Sequence, residues 1–220
     1  MADAEGNLPN LRARAHLLYL RELRELAGLS RETLAAEVGL STPTLRELES
    51  GLSNPRLATV YVLVSALAGH LERPARWVFE ELISETAYAP YEPLREAAAL
   101  RLGVTALRTP RDSAARRRFT KTSGDAPGAP ESAEPNLYRL QQLFARSRFS
   151  QAELAELTGL TDRTLRQFFS VNAPTGRNTT LAVFLTITAA LAPVLGGSVK
   201  DAVLHVLADD LARLGARGPA

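Results

Sequence analysis

Ser30–Arg46 reads SRETLAAEVGLSTPTLR, and Ser150–Arg166 reads SQAELAELTGLTDRTLR. Eight of the seventeen positions are identical at an offset of 120: Ser30/Ser150, Leu34/Leu154, Ala35/Ala155, Gly39/Gly159, Leu40/Leu160, Thr44/Thr164, Leu45/Leu165 and Arg46/Arg166. An apolar helix follows each stretch. Leu57, Val60, Leu63 and Leu67 correspond to Leu181, Phe184, Ile187 and Leu191, now at an offset of 124, so the second copy carries four extra residues before that helix. Two copies of one small helical unit are the simplest account.

The unit has a physical logic. Ser30 is a natural N-cap for a helix starting at Arg31. Leu34 and Ala35 pack inward, and the small Ala35 lets a crossing helix come close. Gly39 ends the helix, because glycine adopts the left-handed conformation of a tight turn without steric cost. Leu40 anchors the turn, Ser41 caps the next helix, and Leu45 and Leu48 form its buried side. A helix, a glycine turn and a second helix crossing the first make a helix-turn-helix.

At this point Leu20–Gly69, LRELRELAGLSRETLAAEVGLSTPTLRELESGLSNPRLATVYVLVSALAG, resembles the lambda-repressor-like, Cro-type (XRE) DNA-binding family. Glu49-Ser50-Gly51, Asn54-Pro55 and the closing apolar helix belong to that pattern. The second copy, Leu137 to Leu195, matches well over Ser150–Arg166 and less well beyond, and it lacks a glycine at the place of Gly51. The resemblance implies an ion pair between Arg24 of the first helix and Glu49 after the recognition helix. At an offset of 120 these positions are Phe144 and Phe169. Exchanging a whole buried pair for apolar groups is tolerated where losing one member is not. The joint change therefore predicts that the two positions touch in both copies.

A helix-turn-helix lays the start of its second helix in the major groove. With Leu45 and Leu48 inward, the first copy presents Thr42, Pro43, Arg46, Glu47 and Ser50, preceded by the cap Ser41. The second presents Asp162, Arg163, Arg166, Gln167 and Ser170, preceded by Thr161. Arginine can hold guanine O6 and N7, and glutamine adenine N6 and N7, so the second copy is the better-equipped reader. Glu47 could accept from cytosine N4, and Pro43 offers an apolar contact. Phosphate contacts are expected from Arg31 and Gln151, where the resembling family commonly meets the backbone. They are also expected from Ser53, Asn54 and Arg56, and from Asn172, Arg177 and Asn178. For each of these residues the plain alternative is an ordinary solvated side chain.

The rest of the chain bounds these readings. Its 220 residues allow one or two domains, and 45% hydrophobic residues suffice for a core. Lys+Arg 26 against Asp+Glu 24 leaves a net charge of +2, so any basic patch must come from uneven placement. The absence of cysteine excludes disulfides, a Cys-ligated zinc and a thiol nucleophile. His16, His70 and His205 are scattered, no phosphate-binding glycine loop appears, and no cofactor or small-molecule ligand is implied. Leu181–Leu195 is too short to span a membrane and reads as a buried helix.

No stretch alternates like a strand, so the fold class is all-α. The domains read as 11–70 for the first unit, 71–108 for connecting helices, 109–135 for a linker, and 136–216 for the second, divergent unit with a C-terminal helix. Within 71–108, helices are expected over Arg76–Thr86 and Leu94–Leu102, the latter ended by Gly103. Trp77, Val78, Leu82 and Ile83 share one face, which reads as satellite core or, alternatively, as a dimerisation surface. The linker starts with the basic run Arg108, Arg111, Arg116, Arg117, Arg118 and Lys121, a candidate phosphate or minor-groove contact, and continues in Gly, Ala, Pro and Ser.

The expected function is sequence-specific binding of double-stranded DNA by a cytoplasmic, nucleoid-associated transcriptional regulator, a repressor. A homodimer is expected, because the resembling family commonly dimerises. The tether would let the two copies reach neighbouring half-sites separately. The alternatives are a DNA-bridging architectural protein and a protein-interaction module such as an antitoxin. An enzyme is not expected, since no acid–base or nucleophile constellation converges.

Overall fold

In the computed structural model, residues 17, 19–106, 135–169 and 179–216 are described. They form eleven α-helices. The first six are α1 Leu20–Leu26, α2 Arg31–Glu37, α3 Thr42–Glu49, α4 Leu57–Leu71, α5 Ala75–Leu82 and α6 Glu92–Ala106. The others are α7 Tyr138–Ser147, α8 Gln151–Thr158, α9 Asp162–Phe169, α10 Leu181–Leu191 and α11 Val199–Ala216. Three short 3-10 turns, Glu85–Ala87, Ala89–Tyr91 and Ala192–Val194, complete the order. Residues 109–134, and with them Arg116, Arg117 and Arg118, lie outside the described residues, as do Asn172, Arg177 and Asn178.

The caps explain where the helices begin. Ser30 Oγ accepts Thr33 N–H at 3.0 Å, and Ser41 Oγ accepts Thr44 N–H at 3.2 Å. Each satisfies one donor that a helix start leaves unpaired. In the second half Ser150 and Glu153 bond reciprocally, at 3.2 and 2.8 Å, as a capping box. Thr161 Oγ1 accepts Thr164 N–H at 3.2 Å. Gly39 and Gly159 turn the chain at φ of 67° and 66°. Gly28 at 69° has its counterpart in Arg148 at 64°, a left-handed arginine at the same place in the path. The two halves share these caps and left-handed turns up to the start of α9.

Packing carries the equivalence beyond the sequence similarity. At the offset of 124, α5 falls on the first half of α11. Ala75, Val78, Phe79, Leu82 and Ile83 align with Val199, Ala202, Val203, Val206 and Leu207; all ten are buried and none is identical. Helix α5 packs on α4, and α11 packs on α10. The helix expected as a connector is thus the fifth helix of the first half. Two boundaries also differ from expectation: α5 stops at Leu82, and α6 runs through Gly103 to Ala106. A lone glycine inside a packed helix costs only ~1 kcal/mol and need not end it.

The halves do not stand apart. One apolar cluster runs from Leu17 to Leu214, with α4 and α10 at its centre. Helix α11 packs against both α4 and α5, and α6 lies along α10 and α8. The face of Val78, Leu82 and Ile83 is therefore covered by the chain's own C-terminal helix, with Trp77 half-buried beside it. That corrects its alternative reading as a dimerisation surface, since an apolar face already covered within the chain is not open to a second copy. The picture of two tethered, independently moving domains is corrected too: a shared core links the halves, whatever the tether's length. Among the described residues no single helix is long and apolar enough to cross a membrane.

Candidate nucleic-acid interface

Helix α3 is held from below. Leu45 and Leu48 are buried, while Pro43, Arg46, Glu47 and Ser50 are exposed and Thr42 is half-buried. At its C-terminal end Glu49 turns inward. Its side chain is 4% exposed and accepts from Arg24 Nε at 2.6 Å, the Arg24 side chain being 7% exposed. Its other oxygen accepts from Arg31 Nε at 2.9 Å. Arg24 also donates to the Leu29 carbonyl at 2.8 Å. One carboxylate thereby ties α3 to α1 and α2, fixing the angle at which the outward face is presented.

The second half solves the same problem without charge. Phe144 and Phe169 stack with ring centroids 4.1 Å apart and planes inclined by 19°. The joint exchange read from the sequence is a contact in both halves. Arg31 has become Gln151, half-buried at the head of α8, so the second cation of the triad is gone as well. On α9, Leu165 and Phe168 are buried, while Asp162, Arg163 and Arg166 are exposed, as is Thr161 just before the helix. Arg166 pairs with Asp162 one turn earlier, and Arg163 is exposed beside it. The Gln167 side chain lies outside the described residues.

The residues after α3 divide. Arg56 is exposed at the N-cap of α4. Ser53 Oγ is buried and has no hydrogen-bond partner among the described residues, so it is not offered to a phosphate. Asn54 reaches the other half with its acceptor: Oδ1 accepts Ala182 N–H at 3.2 Å, capping α10. Arg31 keeps a half-exposed guanidinium, but part of its donor set already serves Glu49.

Sequence reasoning missed the polar ties between the halves. Arg56 and Thr180 form an isolated antiparallel bridge. Leu57 N–H donates to the Thr179 carbonyl at 2.7 Å, and Leu181 N–H to the Pro55 carbonyl at 2.8 Å. Asp210 on α11, 2% exposed, accepts from Tyr61 Oη of α4 at 2.7 Å, from Asn136 N–H at 2.7 Å, and from Arg213. Burial, with the Asp210 carboxylate beside it, pushes the Tyr61 hydroxyl well above its ordinary pKa. The available signal was that Asp210, unlike its neighbour Asp209, falls on the helix face of Val203, Val206, Leu207 and Leu214. Among the described residues no group of three or more His, Asp or Glu side chains could hold a metal ion.

Residues 20–73 match the helix-turn-helix family HTH_3. That range takes in α1 to α4 and the turn after them. The first half therefore contains a helix-turn-helix domain, the kind of module with which transcriptional regulators bind DNA, set in a chain whose described elements are helical throughout. No curated protein and no solved structure matches the chain.

Proposed function

We propose that the chain is a sequence-specific double-stranded DNA-binding repressor that reads the major groove with two different helices, α3 and α9. The observation that carries this reading is the pairing of a family-matched first half with a second half built on the same plan. Both have a hydroxyl cap, a left-handed glycine turn, and a following helix with two apolar residues inward and an arginine outward. The outward sets differ. Thr42, Pro43, Arg46 and Glu47 suit a mixed contact with a thymine methyl, guanine and cytosine. Arg163, with Arg166 and Gln167, suits guanine and adenine. Occupancy of the DNA is the mechanism, with Arg31, Arg56 and Gln151 as phosphate-positioning groups and no chemistry on the duplex.

Gel shifts at several salt concentrations, on a duplex selected from a random pool, test this. Arg46→Ala and Arg163→Ala should each relax base preference at one position, at a cost of ~1–3 kcal/mol. Arg56→Ala should weaken all sequences alike and flatten the dependence on salt. If Arg46→Ala and Arg163→Ala changed only the salt dependence, base reading by these helices would be wrong. A chain with no selected sequence at all would be a bridging or protein-interaction module instead.

A further inference from the structure

We infer that the chain is an internal two-fold dimer, so that one molecule reads two unlike half-sites in inverted orientation at one fixed spacing. The inference rests on the proposal that both α3 and α9 read DNA, and adds their geometry. Under the 124 offset Pro55 corresponds to Thr179 and Leu57 to Leu181. Leu57 N–H donates to Thr179 O, and Leu181 N–H donates to Pro55 O. The counterparts of one bonded pair thus form the other bonded pair. A reciprocal exchange of this kind is the mark of an isologous, two-fold contact; a head-to-tail arrangement would bring unlike patches together.

Two further contacts obey the same operation. Helix α4 meets its counterpart α10, and α5 meets its counterpart α11. The bridge, continuous with the α4–α10 contact, and the separate α5–α11 contact place a pseudo-two-fold axis through the bridge. The Arg24–Glu49–Arg31 triad in one half and the Phe144–Phe169 stack in the other lie off that axis, where the halves are free to differ. The chain path allows the reading helix the distance from the axis that a duplex requires. Arg56 in the bridge is seven residue steps beyond Glu49 at the end of α3, a reach of at most ~25 Å. Adjacent major grooves on one face lie ~34 Å apart, so each reader needs to stand ~17 Å from the axis.

A flexible tether would accept direct or inverted half-sites at many spacings. The bridge, with Leu57 and Leu181 buried beside it, and the α4–α10 and α5–α11 contacts accept one. They also remove the need for a second chain, because the position a partner subunit would take is occupied by the chain's own second half.

The full-length chain is to be tested on duplexes selected from a random pool, with light scattering of the complex. One chain per duplex is expected, on two unlike half-sites in inverted order. Arg46→Ala should relax one half-site and Arg163→Ala the other. Inserting ~5 base pairs between them, half a helical turn, should lower affinity at least ten-fold. Direct repeats, several spacings bound equally, or two chains on identical half-sites would overturn the inference while leaving base reading by both helices intact. A single half-site unaffected by Arg163→Ala would overturn the second reader and the inference with it.

Discussion

Glu49 is the residue on which the angle of α3 depends. Its carboxylate is buried against Arg24 and shared with Arg31. Removing one member of such a pair leaves a desolvated charge, which typically costs ~3–5 kcal/mol. Glu49→Ala is therefore expected to lower the urea-unfolding free energy by that order. The other half suggests the remedy. Arg24→Phe with Glu49→Phe should recover much of the loss, because Phe144 and Phe169 fill the equivalent place by stacking. A double variant less stable than the sum of the singles would show that the two halves do not share this geometry.

At the scale of elements, the helix starts are small and separable contributions. Ser150 both accepts from the Glu153 amide and donates its own amide to the Glu153 carboxylate. Ser150→Ala should cost ~0.5–2 kcal/mol. Measured by the same unfolding experiment, Ser150→Gly should cost only a few tenths. The cap on α10 comes from the other half, through Asn54. Asn54→Ala should destabilise the whole chain and weaken DNA binding only through that loss. An affinity change at unaltered stability would mean that Asn54 meets phosphate after all.

For the whole molecule, the shared core predicts a single unfolding transition. Trp77, the chain's one tryptophan, sits in the first half, whereas far-ultraviolet circular dichroism reports helices of both. The two signals should coincide along a denaturant titration. Two separated transitions would mean that the halves fold independently. Alkaline pH is a second test. Tyr61 and Tyr88 are held well above the ordinary phenol range by burial, and Tyr91 is pushed up to about 12. For groups whose folded pKa is raised, the stabilisation is complete below the unfolded value near ~10 and is lost as pH rises towards the folded one. Stability should therefore fall above about pH 10, and tyrosinate absorbance from these three should appear together with unfolding.

The helix starts, the glycine turns, the buried side of α3 and the Arg24/Glu49 exchange for Phe144/Phe169 were all legible in the chain. Each depends on residues close in sequence or on a pair whose two members changed together. The equivalence of α5 and α11 was not, because it survives as ten buried positions without one identity, and a core selects volume and apolarity above residue type. The apolar face of α5 reads the same whether a second copy or the chain's own C-terminal helix covers it. Only long-range packing distinguishes the two, and here α11 is the cover. Nothing in the local sequence of Asn54 or Ser53 shows that folding sets the Asn54 Oδ1 on an α10 amide and buries the Ser53 hydroxyl. Local rules of capping, turning and periodicity are written residue by residue. How two like units lie against each other is a sum of contacts between residues more than a hundred positions apart, and it emerges when the chain is folded.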